Sequence, residues 1–265
     1  MYEAKYHKPA SLTDAATALA GSSDGAVLAG GQTLLPTMKQ HLAAPSDLID
    51  VRAIDAMRGI TVSEGAVTIG AATTHAEVAG SAVVRENIPA LACLAGGIGD
   101  PAVRHMGTMG GSVANNDPAA DYPAAVLGLG ATVVTTSREI PADEFFDGLF
   151  STDLEEGEII TQIRFPIAAR AGYSKFPNPA SRYALVGVFV AETGGAIRVA
   201  VTGAGADGVF RHSGMEAALA TTVSTSVLDD VAVDAGDLVS DIHASAEYRA
   251  HLVTVMAKRA VEALS

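Results

Sequence analysis

Two of the glycine pairs in this 265-residue chain constrain its fold more than any other feature: Gly30-Gly31 in VLAGGQTLLPTMK and Gly110-Gly111 in RHMGTMGGSVANNDPAADYP. In the first, a strand at Val27–Ala29 runs into the glycines and Gln32, and Thr33 can cap a helix whose first turn holds Pro36, where proline is tolerated. Residues without Cβ let backbone N–H groups approach a ligand closely, and a helix N-terminus adds partial positive charge, so an anion fits there. Taken alone, the stretch reads as a plain strand-to-helix turn. In the second, Gly107, Gly110 and Gly111 supply another close-approach loop, and Thr108, Ser112, Asn115, Asp117 and Asp121 add groups suited to sugar or polyol hydroxyls. Two carboxylates beside a phosphate would repel it unless they face the hydroxyl-bearing part of the ligand. The competing reading is a solvated loop, for which small residues and prolines are ordinary.

A third glycine cluster spells G-x-G-x-x-G at Gly203, Gly205 and Gly208 in VAVTGAGADGVF, with Asp229 and Asp230 near the place of a ribose-binding acid. Its surroundings point elsewhere. The strands Ala184–Ala191 and Ala196–Thr202 flank a tight glycine-containing turn, so the strand before Gly203 reads as the return arm of an antiparallel hairpin. Ser213-Gly214 breaks the following helix, and TTVSTS lacks the apolar run of a buried parallel strand. These are loop glycines.

Composition narrows the chemistry. With 49% apolar residues and a mass of 26.9 kDa, the chain has enough material for two or three packed subdomains. Seventeen basic against 30 acidic residues give a formal charge of −13, which disfavours nucleic acid and anionic membrane surfaces. MYEAKYHKPA has no secretory pattern, and the longest uncharged apolar-rich run, Tyr122 to Val134, falls short of the roughly 20 residues of a membrane span, so the expected compartment is the cytoplasm. A single cysteine, Cys93, excludes an intramolecular disulfide or a cysteine cage within the chain and reads as a buried core thiol. The seven histidines show no H-E-x-x-H pairing, and neither a G-x-S-x-G elbow nor a Walker lysine occurs. If the chain belongs to an enzyme, an organic cofactor supplies the chemistry.

Periodicity divides the chain into three blocks. A helix capped at Ser11 or Thr13 and ending at Ala20, strand GAVLAG, a helix over Thr33 to His41 and strand DLIDV make a small β-α-β unit. From Ile60, ITVSEGAVTIGA reads as a hairpin, Ala76 to Leu94 as mostly helical, and GATVVTT and EIITQIRFP as further strands. The last block holds the YALVGVFVA/AIRVAVTG hairpin and a closing helix, Ala244 to Leu264, with Tyr248, Leu252, Val255, Met256 and Ala263 on its inward face.

AGGQTLLPTMK and TMGGSVANNDPAADYPAA resemble the two flavin-binding segments of the FAD subunits of molybdenum hydroxylases, the family of the aerobic carbon monoxide dehydrogenase medium subunit and the xanthine dehydrogenase flavin domain. The resemblance extends over essentially the whole chain, through FPNPASRYALVGV and SDIHASAEYRAHLVTVMAKRAV. It implies an α+β protein. Two α/β subdomains of the vanillyl-alcohol oxidase type (residues 1–56 and 57–165) would clasp FAD, with a C-terminal α+β domain of the carbon monoxide dehydrogenase flavoprotein type (166–265) behind.

On this resemblance Ala29, Gly30, Gly31, Gln32, Thr33 and Leu34, together with Thr108, Met109, Gly110, Gly111 and Ser112, wrap the pyrophosphate. Asn115 and Asp117 join the cofactor-binding set, and Asp121 holds a sugar hydroxyl. Ile98 packs near the isoalloxazine, Ile160 near the adenine, and Lys175 and Tyr183 near the flavin's redox edge. Gln32 and Ser112 stand where many relatives carry His or Asn and keep the polarity.

The implied role is electron transfer without a catalytic residue of the chain's own. A molybdopterin-binding large subunit oxidises the substrate, a small iron–sulfur subunit relays electrons, and the FAD subunit passes them to an outside acceptor, in a dimer of heterotrimers. Molybdopterin and clusters belong to the partners only. Two other readings compete: a self-contained flavin- or NAD-dependent dehydrogenase, and a cofactor-free scaffold whose glycine loops are turns. A side chain at Gly30, Gly31 or Gly111 is expected to block the cofactor and spare the fold, and Gly205→Ala to cost stability if Gly205 has positive φ.

Overall fold

Three separate sheets organise the chain, described over residues 1–265 in a computed structural model. The first contains β1 (Lys5–His7), β2 (Gly25–Leu28) and β3 (Asp47–Asp50), with α1 (Leu12–Ala20) and α2 (Leu34–Lys39) in the connections. Its order is β1-β3-β2 and both pairings are parallel. Ser11 caps α1 by accepting from the Asp14 N–H, as expected. The β-α-β unit is present, and β1 adds a third strand on the far side of β3. Buried Asp50 ties the two together, taking the Tyr6 hydroxyl at 2.6 Å and the Arg52 guanidinium at 2.6 and 2.9 Å.

The second sheet begins with the expected hairpin, β4 (Ile60–Ser63) and β5 (Ala66–Gly70). Glu64 and Gly65 both have positive φ (51° and 74°), the geometry of a two-residue type I′ turn. The expected helical stretch is three pieces: α3 (His75–Gly80), α4 (Ala82–Asn87) and α5 (Pro89–Gly96). Extended Ser81 ends α3 and caps α4, and Pro89 forces the break before α5. On α5 Cys93 is exposed, contrary to the buried thiol expected, because Leu91, Leu94 and Ala95 occupy the inward face at helical spacing.

The segment that reads as a loop is largely helix: α6 (Pro101–Met106) and α7 (Met109–Asn115), followed by α8 (Tyr122–Leu129). All eight residues of α8 are buried, as an apolar helix without a polar face must be. Then come β6 (Thr132–Thr135), β7 (Glu139–Pro141), α9 (Ala142–Phe145) and β8 (Ile160–Pro166), completing an antiparallel sheet in the order β4-β5-β8-β6-β7.

The third sheet, β12-β11-β10-β9, comprises β9 (Arg170–Pro177), β10 (Ala184–Thr193), β11 (Ala196–Thr202) and β12 (Phe210–Arg211). It is antiparallel throughout, and the β10–β11 turn uses Gly194 and Gly195 at φ 59° and 80°. Strand β10 is buried on both faces. Val186, Val188 and Val190 join the core under α10 (Ser213–Thr221) and α11 (Ala246–Glu262), whereas Phe189 and Ala191 join the core around α8. Gly203 therefore leads from an antiparallel strand towards β12, as the hairpin reading required. Ser213-Gly214 opens α10 rather than breaking it, with His212 as the cap. The buried face of α11 is Arg249, Leu252, Val253, Met256, Ala257, Ala260 and Val261, whereas Tyr248 and Ala263 are exposed. Leu252 and Met256 are buried as expected and Val255 is partly buried, and the Arg249 guanidinium joins them, 2.6 Å from the carbonyls of Leu185 and Gly203 and 2.8 Å from Asp241.

Candidate functional site

A cavity of about 530 Å³, within the usual range for a small-molecule or cofactor site, opens where the first two sheets meet the third. The β2–α2 junction brings Ala29 to Leu34, and α7 with its approach brings Gly107, Thr108 and Gly110 to Ser112. Asn115, Asp117, Asp121, Ile98 and Ile160 add further walls, and the β9–β10 turn contributes Ser181, Arg182 and Tyr183. Of the residues singled out from sequence, all but Met109 and Lys175 line this one space.

The glycines have distinct reasons to be glycine. A Cβ on Gly30 would stand 2.3 Å from the Met106 carbonyl oxygen and 2.6 Å from the Gly107 Cα, so the two glycine loops touch backbone to backbone. Gly31 has φ +69°. A Cβ on Gly110 would meet the Ala71 side chain at 2.4 Å, and its N–H donates to the Ala71 carbonyl at 2.9 Å. Gly111 is different: only the Thr108 hydroxyl at 2.9 Å and the Ala29 Cβ at 3.4 Å lie near. The expectation that a side chain at Gly30 spares the fold is thereby corrected, because it would separate the loops. Thr108 caps α7 by accepting from Gly111 N–H at 3.2 Å. Thr33 occupies the corresponding place on α2 but makes no side-chain cap bond, against expectation, and Gln32 donates to the Gly30 carbonyl at 3.3 Å.

The two residues outside the lining have other work. Met109 is fully buried. The Lys175 ammonium reaches the Gly97 carbonyl (2.9 Å), the Arg182 carbonyl (3.1 Å) and the Asp121 carboxylate (2.9 Å), which uses all three of its donors. It fastens three walls together from behind. Asp121 also accepts from the Tyr173 hydroxyl, so its carboxylate is engaged within the protein even though the residue reaches the cavity.

Burial pushes the Asp121 carboxyl up against the opposing pull of Lys175 and Tyr173, and burial together with Asp121 pushes the Tyr173 hydroxyl well up. Burial also raises Asp117, which accepts only the Ala119 N–H, at 2.9 Å. At Glu158, burial is outweighed by hydrogen bonds from Arg138 and Thr135, which hold the carboxylate low. His75 is lowered to about 4 by burial and by the nearby Arg104 charge, so its imidazole is neutral at pH 7.

The third sheet supports this site without opening onto it through its glycine motif. Gly203 N–H donates to the Pro118 carbonyl (2.8 Å), the Thr202 hydroxyl to the Ala120 carbonyl (2.7 Å), and Ala184 N–H to the Ala119 carbonyl (3.2 Å). Gly205 and Gly208 instead line an open groove with Asp207, Asp234 and Asp237 and with Arg211, whose guanidinium is already paired with Asp143 and Glu216. Sequence reasoning missed His75, Glu158 and Arg182 among the cavity residues. For His75 a signal existed: Thr74 and Glu77 form a capping box that marks it as the first residue of a helix. The structure has no group of three acidic, histidine or cysteine side chains placed to hold a metal, and no helix long and apolar enough to cross a membrane.

This architecture has relatives. Residues 2–168 match the family model described as the FAD binding domain in molybdopterin dehydrogenase. The carbon monoxide dehydrogenase medium chain of Hydrogenophaga pseudoflava is 34% identical, over 98% of this chain and 96% of its own length. The nicotine 6-hydroxylase medium subunit of Paenarthrobacter nicotinovorans is also 34% identical, over 97% and 95%. A chain in the crystal structure of cyanide-inactivated Cu,Mo-CO dehydrogenase superimposes with a TM-score of 0.91 at 32% identity, covering 99% of this chain and 97% of that one. A chain of quinoline 2-oxidoreductase from Pseudomonas putida 86 gives 0.88 at 29%, over 98% and 96%. With the glycine cradle in place and likeness over its whole length, the chain belongs to the FAD-binding medium-subunit family of the molybdopterin dehydrogenases.

Proposed function

We propose that the chain carries FAD in this cavity and passes electrons from the iron–sulfur clusters of a small partner subunit to an external acceptor, while a molybdopterin-binding large subunit oxidises the substrate. The observation that carries the reading is the cradle itself: two glycine loops in backbone contact at Gly30 and Gly107, with Gly111 open beside them. The residues fit the cofactor. Ala29–Leu34 and Thr108–Ser112 would take the pyrophosphate, Ile98 and Tyr183 the isoalloxazine side, and Ile160 the adenine. Asp117, with acceptor capacity to spare, is better placed than the engaged Asp121 to hold a sugar hydroxyl. Lys175 orders the walls rather than touching the ring.

FAD supplies the redox chemistry when bound. The chain's task is to hold it and to keep its surroundings ordered. Three sheets, each with its own strand set, support a division into domains at 1–56, 57–165 and 166–265. The assembly would be a dimer of heterotrimers in the cytoplasm, with substrate choice residing in the large subunit. A dye-linked turnover assay tests this, comparing the FAD-loaded single chain with the reconstituted three-subunit complex on aldehydes, purines, N-heterocycles and carbon monoxide. Turnover by the complex alone is expected. Robust turnover by the single chain would make it a self-contained flavin dehydrogenase.

A further inference from the structure

His75 opens α3, is 4% exposed, and lines the cavity, yet nothing in the chain uses its side chain. Its backbone N–H donates to the Gly107 carbonyl at 2.9 Å, which fixes the residue against the second glycine loop. The ring leans on Tyr122, centroids 5.3 Å apart. Nδ1 is buried without a hydrogen-bond partner. Nε2 lies 2.6 Å from the point where a Cβ on Gly107 would stand, so the missing side chain at Gly107 is what admits this edge of the ring to the loop. Nδ1 stays unpaired whichever nitrogen carries the proton, and orphaned buried N–H donors are rarer than unpaired acceptors.

A neutral imidazole has one N–H to place. On Nδ1 the proton would be a buried donor facing no acceptor. On Nε2 it faces the glycine loop, where an anionic ligand would bring acceptor oxygens. We infer that His75 is a further cofactor-holding residue, donating its Nε2–H to a pyrophosphate oxygen of the dinucleotide; the inference rests on the FAD reading above.

Titration of the full-length chain with FAD, followed by flavin fluorescence, and ¹⁵N NMR of the His75 ring test it. His75→Ala should weaken FAD about tenfold, and His75→Gln, whose amide N–H can replace the donor, should recover most of that loss. In the wild-type chain the ring should be the Nε2–H tautomer, and its resonance should move with ADP and FAD but not with riboflavin. Unchanged affinity in a folded His75→Ala, an Nδ1–H tautomer, or a response to riboflavin without one to ADP would each overturn the assignment. The NMR readout holds even if His75→Ala fails to fold. Wild-type chain that binds no FAD would instead defeat the parent reading.

Discussion

The paired-glycine loops and the third glycine cluster of this protein serve different ends. Around Gly30 and Gly107 the absent side chains let two loops meet backbone to backbone beside a cavity. At Gly203 and Gly205 the absent side chains serve packing within the chain: a Cβ on Gly203 would stand 2.4 Å from the Ala184 carbonyl, and one on Gly205 would stand 2.4 Å from that of Gly208, whose own need is a φ of +98°. The Gly203 N–H is already spent on Pro118. The difference lies in the surroundings: the first region borders the cavity, and the second packs against its own chain.

The sharpest way to test the supporting role of the third sheet is Lys175→Met. It leaves Asp121 buried and unpaired, which should cost roughly 3–5 kcal/mol in chemical denaturation. Adding Asp121→Asn should return part of the loss, because the stranded charge is gone. A Lys175→Met protein of wild-type stability would dissolve the clamp.

Next in size is the cradle. Gly111→Asp should lower FAD affinity at least about 100-fold, roughly 2.7 kcal/mol, with a smaller loss of melting temperature as its Cβ crowds the Thr108 capping hydroxyl, since the carboxylate would stand at the proposed pyrophosphate site. Gly30→Ala should lose both affinity and stability, because its methyl meets backbone. Calorimetry beside each titration separates the two outcomes, and a stable Gly30→Ala that binds normally would refute the loop contact.

A smaller effect concerns the sheet that carries the first loop. Burial would raise Asp50, but Arg52 and Tyr6 outweigh it and lower its carboxyl to about 2. A depressed carboxyl pKa means stability that is present above the unfolded value near 3.8 and lost as pH falls towards 2. With Arg52 42% exposed, this is worth roughly 1–2 kcal/mol. Asp50→Asn should flatten the stability curve in that window; an unchanged acid branch would remove Asp50 from the account.

The smallest expected effect is Gly205→Ala, about 1 kcal/mol of stability and none on FAD affinity. Gly205 is not among the positive-φ glycines, so the cost comes from crowding against the Gly208 carbonyl rather than from φ.

Where local chemistry decided the outcome, the sequence could be read. The Glu64-Gly65 and Gly194-Gly195 turns, the paired-glycine loops and the antiparallel setting of Gly203 all follow from residues a few positions apart. Long-range pairing was hidden. Nothing local shows that Lys175 reaches Asp121 and that Thr202 holds the Ala120 carbonyl. The same holds for Arg249, which bonds from α11 to Leu185, and for the α6–α7 helices, which form in a glycine-rich stretch where Gly110 packs on Ala71. Cys93 illustrates the limit of residue averages: its helix phase, not its type, set its exposure.

Amide hydrogen exchange with and without FAD tests most directly which glycine region holds the cofactor. New protection is expected in peptides covering 29–34 and 107–115, with 203–210 unchanged. Protection confined to 203–210, with both paired-glycine loops exchanging as before, would place the cofactor on the other motif and contradict the proposal.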